Sequence, residues 1–292
     1  MSFVVSLIAP ARRLDPALAS SLQTAWGAVG DAVWLSPDEA AEFAVAEVPE
    51  NLDQVRSDVA GMQVDLNVLE AANRRKRLLI ADMDSTMIGQ ECIDELADEA
   101  GVGTRVADIT ARAMNGELDF EEALLERVGL LRGLPTSVID RVLDTRITLA
   151  AGGRELVATM RANGAHAALV SGGFVQFTSR IAEQLGFDET RANTLIDENG
   201  ALTGDVTRPI LGRDAKVAAL TEITARLGVT PNEAVAVGDG ANDLGMICGA
   251  GLGVALHAKP SVAAAAPVRI NHGDLTALLF LQGYSKDEFV TP

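Results

Sequence analysis

Five short apolar runs, Leu78–Ala81, Ala165–Val170, Ala234–Val237, Gly253–Leu256 and Val268–Ile270, are separated by segments of helical periodicity. Each run has the length of a strand, and its apolar residues follow one another instead of alternating, so both faces are expected to be buried. Helices fit Gly153–Asn163, Val175–Leu185, Ala215–Leu227 and Asp243–Cys248. Doubly buried strands that alternate with helices predict an α/β fold built on a doubly wound parallel sheet. Ligands bind such a sheet beyond the carboxyl ends of its strands, so the residues that follow each run are the first candidates for chemistry.

After the first run come Asp82-Met83-Asp84-Ser85-Thr86. Two neighbouring carboxylates repel each other unless a cation compensates, which makes a divalent metal their natural partner. An aspartate can also attack phosphorus and carry the phosphoryl group, and Ser85-Thr86 supplies donors suited to phosphate oxygens. After the third run comes Gly238-Asp239-Gly240-Ala241-Asn242-Asp243, which adds two carboxylates to the same sheet edge. Asp243 stands where a dinucleotide fingerprint needs its third glycine, and no Gly-Lys pair exists for a Walker A loop. After the second run, Ser171-Gly172-Gly173 is a backbone cradle for phosphate. It is not a serine-hydrolase elbow, because Leu169 occupies the position of that motif's first glycine. Lys216 opens the helix before the Asp239 strand and is placed to neutralise a transferring phosphoryl group. By themselves these pieces read as strand ends, turns and a surface lysine; their weight comes from occurring together.

Residues 1–72 read as a separate unit: strand Phe3–Ala9, helix Pro16–Trp26, strands Ala32–Leu35 and Glu42–Glu47, helix Leu52–Ala60, strand Asp65–Leu69. The order βαββαβ predicts a ferredoxin-like α+β sandwich. Arg74-Arg75-Lys76-Arg77 marks the boundary and is expected to be a solvated linker rather than an anion patch. Residues 73–292 form the larger unit, with a helical cap inserted over about 90–148, far longer than a plain crossover needs. Asn199-Gly200, between Asn193–Ile196 and Leu202–Val206, signals a hairpin.

A net charge of −17 excludes non-specific nucleic-acid binding, which needs basic surface. Cys92 and Cys248 are far apart and outside any CxxC, so neither a disulfide framework nor a zinc site is expected, in keeping with a reducing cytoplasm. Arg12 and Arg13 follow the first apolar run, the reverse of a signal peptide, and no run reaches membrane-helix length. A cytoplasmic protein without membrane contact is the expectation.

In order and spacing, Asp82-Met83-Asp84-Ser85-Thr86, Ser171-Gly172-Gly173, Lys216 and Gly238-Asp239-Gly240-Ala241-Asn242-Asp243 resemble the haloacid dehalogenase superfamily over roughly residues 78–272. Within it the resemblance is close to the phosphoserine phosphatase family. That resemblance implies Asp82 as nucleophile, Asp84 as general acid and base, and Mg²⁺ held by Asp82, the Asp84 carbonyl and Asp239. It further implies Ser171, Gly172, Lys216 and Asn242 around the phosphate, and Asp243 supporting Lys216 and the metal. In the cap, Glu91 would meet a substrate ammonium and Arg127 its carboxylate, with Met114 and Phe120 as apolar neighbours. The implied activity is hydrolysis of phosphoserine. A phosphotransferase on the same scaffold, or a non-catalytic amino-acid sensor, are the other readings. Met83 replaces a phenylalanine common in relatives and is expected to point into the sheet. The N-terminal unit is similar to ACT-type domains, which implies an amino-acid effector there, although it lacks a clear glycine-rich effector turn. Oligomeric state stays open.

Overall fold

The computed structural model describes residues 2–114 and 117–291. The N-terminal unit runs β1 (Phe3–Ile8), α1 (Pro16–Ala25), β2 (Val29–Ser36), β3 (Ala40–Val45), α2 (Leu52–Ala60) and β4 (Asp65–Glu70). Its sheet has the order β2-β3-β1-β4, with every neighbouring pair antiparallel. This is the expected ferredoxin-like, ACT-like arrangement. Val5, Leu7, Phe43, Val45 and Leu66 face the two helices, which contribute Ala19, Leu22 and Val59 to the same core.

The larger unit contains β5 (Leu78–Ala81), four cap helices α3 (Cys92–Glu99), α4 (Gly103–Met114), α5 (Phe120–Gly129) and α6 (Ser137–Thr145), then α7 (Gly153–Ala162), β6 (His166–Phe174), α8 (Val175–Leu185) and β7 (Glu189–Asn193). The hairpin β8 (Leu195–Glu198) and β9 (Ala201–Val206) follows, then α9 (Arg213–Leu227), β10 (Ala234–Gly238), α10 (Leu244–Gly249), β11 (Leu252–Leu256), α11 (Pro260–Ala265), β12 (Val268–Ile270) and α12 (Ala277–Leu281). The six-stranded sheet has the order β12-β11-β10-β5-β6-β7 and is parallel throughout. Successive residues serve opposite faces. Leu78 and Ile80 pack with Ala219, Ile223 and Met246, whereas Leu79 and Ala81 pack with Leu156, Val157 and Phe177. From β5 the chain builds outward to β6 and β7, then returns to lay β10, β11 and β12 on the other side. The reversal falls between β5 and β10, and there the carboxyl ends of two neighbouring strands diverge and leave a crevice.

Three features differ from expectation. β7, Glu-Thr-Arg-Ala-Asn, has no apolar run; it is an edge strand held by backbone pairing to β6. β6 does not stop at Val170 but continues through Ser171-Gly172-Gly173 to Phe174, with a register shift against β7 in that stretch. The basic run at 74–77 is solvated only in part: Arg75 and Arg77 are exposed as expected, but Arg74 is not. Arg74, 13% exposed, forms a bidentate pair with Glu42 at 2.9 and 2.6 Å and donates to the carbonyls of Phe280 and Leu281. Arg75 lies over the Tyr284 ring at 4.0 Å and pairs with Glu288.

Arg74 therefore joins the small sheet to α12. Arg74→Ala would leave Glu42 unpaired in a largely dry seam, a loss of about 3 kcal/mol. Thermal or urea unfolding should report it, and an unchanged midpoint would mean that the pair does not hold the units together.

Candidate active site

Asp82 is the first residue after β5, and its amide donates to Val237 O across the crevice at 3.0 Å. Asp239 follows β10 directly. This register brings the two acidic motifs together, and one oxygen from each of Asp82, Asp239 and Asp243 falls within a 4.8 Å cluster. Lys216, in the first turn of α9, pairs with Asp82 Oδ1 at 2.7 Å and with Asp243 Oδ1 at 2.6 Å. Lys216 and Asp243 are almost completely buried, at 1% and 0% exposure. Lys216 thus stands behind Asp82 and outside the cavity lining, not out in the space where a phosphate would sit.

Two ammoniums, Lys216 and Lys259, do not balance three carboxylates. Burial and Asp243 push Asp82 well above the usual carboxylate range although Lys216 opposes them. The same two causes raise Asp239 to about 6. A compact set of hard oxygen donors that is short of positive charge fits a divalent cation of the Mg²⁺ type.

Asp84 is two residues beyond Asp82. It accepts the Cys92 amide on Oδ1 at 3.0 Å, and burial with the neighbouring Glu91 raises its pKa to about 7. Near neutral pH such a carboxyl can both give and take a proton. Gly173 lies against it, where an added Cβ would stand 2.7 Å from Asp84 Oδ2. Only glycine allows this stretch of β6 to pass so close.

The cavity above these residues measures about 390 Å³. The sheet rim contributes Ser171, Gly172 and Asn242 to its wall, and the cap contributes Glu91, Phe120 and Arg127. Met114 closes α4, but its side chain lies outside the described residues, so that expectation ends there. Arg127 is mostly buried, and burial lowers its pKa against the opposing pull of Asp94 and Glu91. Its Nε donates to Ala123 O and its Nη1 to Thr110 Oγ1. Glu91 accepts from Ser85 Oγ at 2.7 Å. Cation and anion are thus held on the cap side, while the acidic cluster lies below.

Some site residues were not anticipated. Ser85, read from sequence as a phosphate donor, instead holds Glu91, and its φ of +53° turns the chain to do so. Thr110 orients Arg127. Lys259 and Arg213 also line the cavity. The position of Lys259 just past β11, on the rim already singled out, was the available signal for it.

The haloacid dehalogenase-like hydrolase family model matches residues 79–247, more than half of the chain. The chain belongs to the haloacid dehalogenase-like hydrolases. This hydrolase is 48% identical to a phosphoserine phosphatase of Streptococcus thermophilus over 200 residues, 68% of this chain and 93% of that one. It is 43% identical over 256 residues, 86% of its length, to a phosphoserine phosphatase of Streptomyces coelicolor, of which it spans 62%. Among solved structures it resembles one described as a phospho-aspartyl intermediate analogue of phosphoserine phosphatase. That match has a TM-score of 0.67 and 42% identity, and covers 70% of this hydrolase and 98% of the other chain.

Proposed function

We propose that this hydrolase converts O-phosphoserine to serine and phosphate, the closing step of serine biosynthesis, through a phosphoryl group carried on Asp82. The observation that carries the reading is the convergence of Asp82, Asp84, Glu91 and Arg127 on one cavity. Phosphoserine presents a phosphate, an ammonium and a carboxylate. Glu91 answers the ammonium and Arg127 the carboxylate, while Phe120 supplies apolar contact between them. A simpler phosphate ester would have no use for these two charged groups.

Asp82 attacks phosphorus in line as the seryl oxygen departs, and Asp84 gives that oxygen its proton. Asp84 then takes a proton from the water that attacks the aspartyl-phosphate, releasing phosphate and restoring Asp82. Ser171 and the Gly172 amide hold non-bridging oxygens, and Asn242 orients the phosphate. Lys216 acts from behind: it favours the ionised form of Asp82 and fixes its position, with Asp243 as its counter-anchor. A Mg²⁺ ion held by Asp82, Asp239 and the Asp84 carbonyl would supply the charge compensation that the cluster lacks. The unit boundaries at residues 1–72 and 73–292, and a cytoplasmic location, belong to the same proposal. No helix among the described residues is long and apolar enough to cross a membrane.

The test is phosphate release from phosphoserine before and after chelation. EDTA should abolish turnover and added Mg²⁺ should restore it, because Lys216 and Lys259 together cannot offset the three carboxylates of the cluster. Undiminished turnover in EDTA would remove the metal from the scheme.

A further inference from the structure

A second cleft, of about 360 Å³, opens at the seam between the two units and shares no lining residue with the candidate active site. One wall is a face of α2, where Asp53, Arg56, Ser57 and Ala60 recur at helical spacing. The other wall is the edge of the large sheet, Arg269 of β12 with Asn271 and His272 beyond it. The walls are tied firmly together. Asn67 donates to Arg269 O at 2.9 Å and accepts from Arg269 N at 3.1 Å. Asp65 accepts the amides of Asn271, His272 and Gly273 at 2.7, 3.1 and 2.8 Å.

The charges in this cleft are not matched. Arg269 Nε is buried and has no hydrogen-bond partner among the described residues. Burial and the nearby Arg269 lower the pKa of Arg56. Arg56 engages Leu66 O through Nε and Asp53 through Nη1, but Asp53 is 87% exposed and a weak counter-charge. Asp65 is already committed to three backbone amides. Two guanidiniums therefore line one cleft, one of them with an unsatisfied buried N–H, in a chain whose net charge is −17.

We propose that this cleft binds a small oxyanion, clasped between Arg56 of the N-terminal unit and Arg269 of the catalytic unit. Carboxylate and phosphate oxygens both suit the planar guanidinium fork. An anion bridging the two arginines tightens the seam, so the site couples ligand concentration to the docking of the two units. The inference does not depend on the reaction assigned above.

The probe is labelled inorganic phosphate, titrated by equilibrium dialysis against the full chain and against Arg269→Gln. The full chain should show phosphate binding beyond that of the active site. In Arg269→Gln that component should weaken by about tenfold or more while phosphoserine hydrolysis is retained. Identical isotherms would overturn the proposal. A second measurement needs no variant: phenylglyoxal modification of the wild-type chain, read by peptide mass. Phosphate should slow modification of Arg56 and Arg269 but not of the surface residue Arg180, and unchanged rates at both cleft arginines would equally overturn it. Competition with acetate separates the sources, since displacement of the bound phosphate marks carboxylate chemistry and its failure marks a phosphate-type ligand; either result supports the clasp.

Discussion

Asp82→Asn is expected to lose phosphoserine hydrolysis by about 10⁴-fold or more, the scale on which enzymes fail when a covalent nucleophile is removed. The fold should survive. Asn is nearly isosteric, Lys216 keeps its 2.6 Å pair with Asp243, and the variant relieves part of the repulsion within the cluster. Circular dichroism and the melting temperature would verify the fold, and a phosphate-release assay the loss. Substantial residual turnover in a folded, pure variant would mean that phosphorus is attacked by some other group.

Arg127→Ala should divide substrates by their chemistry. The guanidinium is largely buried and held by Ala123 and Thr110, so it is prepositioned and costs little to organise on binding. Without it the substrate carboxylate enters the cavity unpaired. About 3 kcal/mol, roughly a hundredfold in kcat/KM, is the expected loss on phosphoserine. An aryl phosphate has no carboxylate to strand and should lose far less. Equal losses on both substrates would take Arg127 out of recognition and leave it a structural role in the cap.

The parts of the molecule that could be read from sequence are those where one local pattern dictates the outcome. Leu78–Ala81 and Ala234–Val237 are apolar at every position because helices cover both faces, and that burial is visible as a run. The acidic residues follow these strands immediately, so locating the strands located Asp82, Asp84 and Asp239. β7 escaped because an edge strand needs only backbone partners on one side, and Glu189–Asn193 leaves no apolar trace of them. Arg74 was misjudged because its partner, Glu42, lies in a different unit, and a charged run looks the same in sequence whether solvated or buried. Ser85 and Thr110 escaped for a related reason. A hydroxyl that orients Glu91 or Arg127 acquires that meaning only when the cap folds over the sheet. Lys216 was found, but its position behind Asp82 follows from the tertiary approach of α9 to β5, which spacing does not encode.

The most direct measurement is to trap the phosphoryl group where it is held. Wild-type chain turning over phosphoserine with Mg²⁺ is quenched and treated with borohydride, which reduces an aspartyl-phosphate to homoserine, and its peptides are then weighed. A mass change confined to the peptide containing Asp82, present only with substrate, is the predicted result. Label on another residue, or none during rapid turnover, would contradict attack by Asp82.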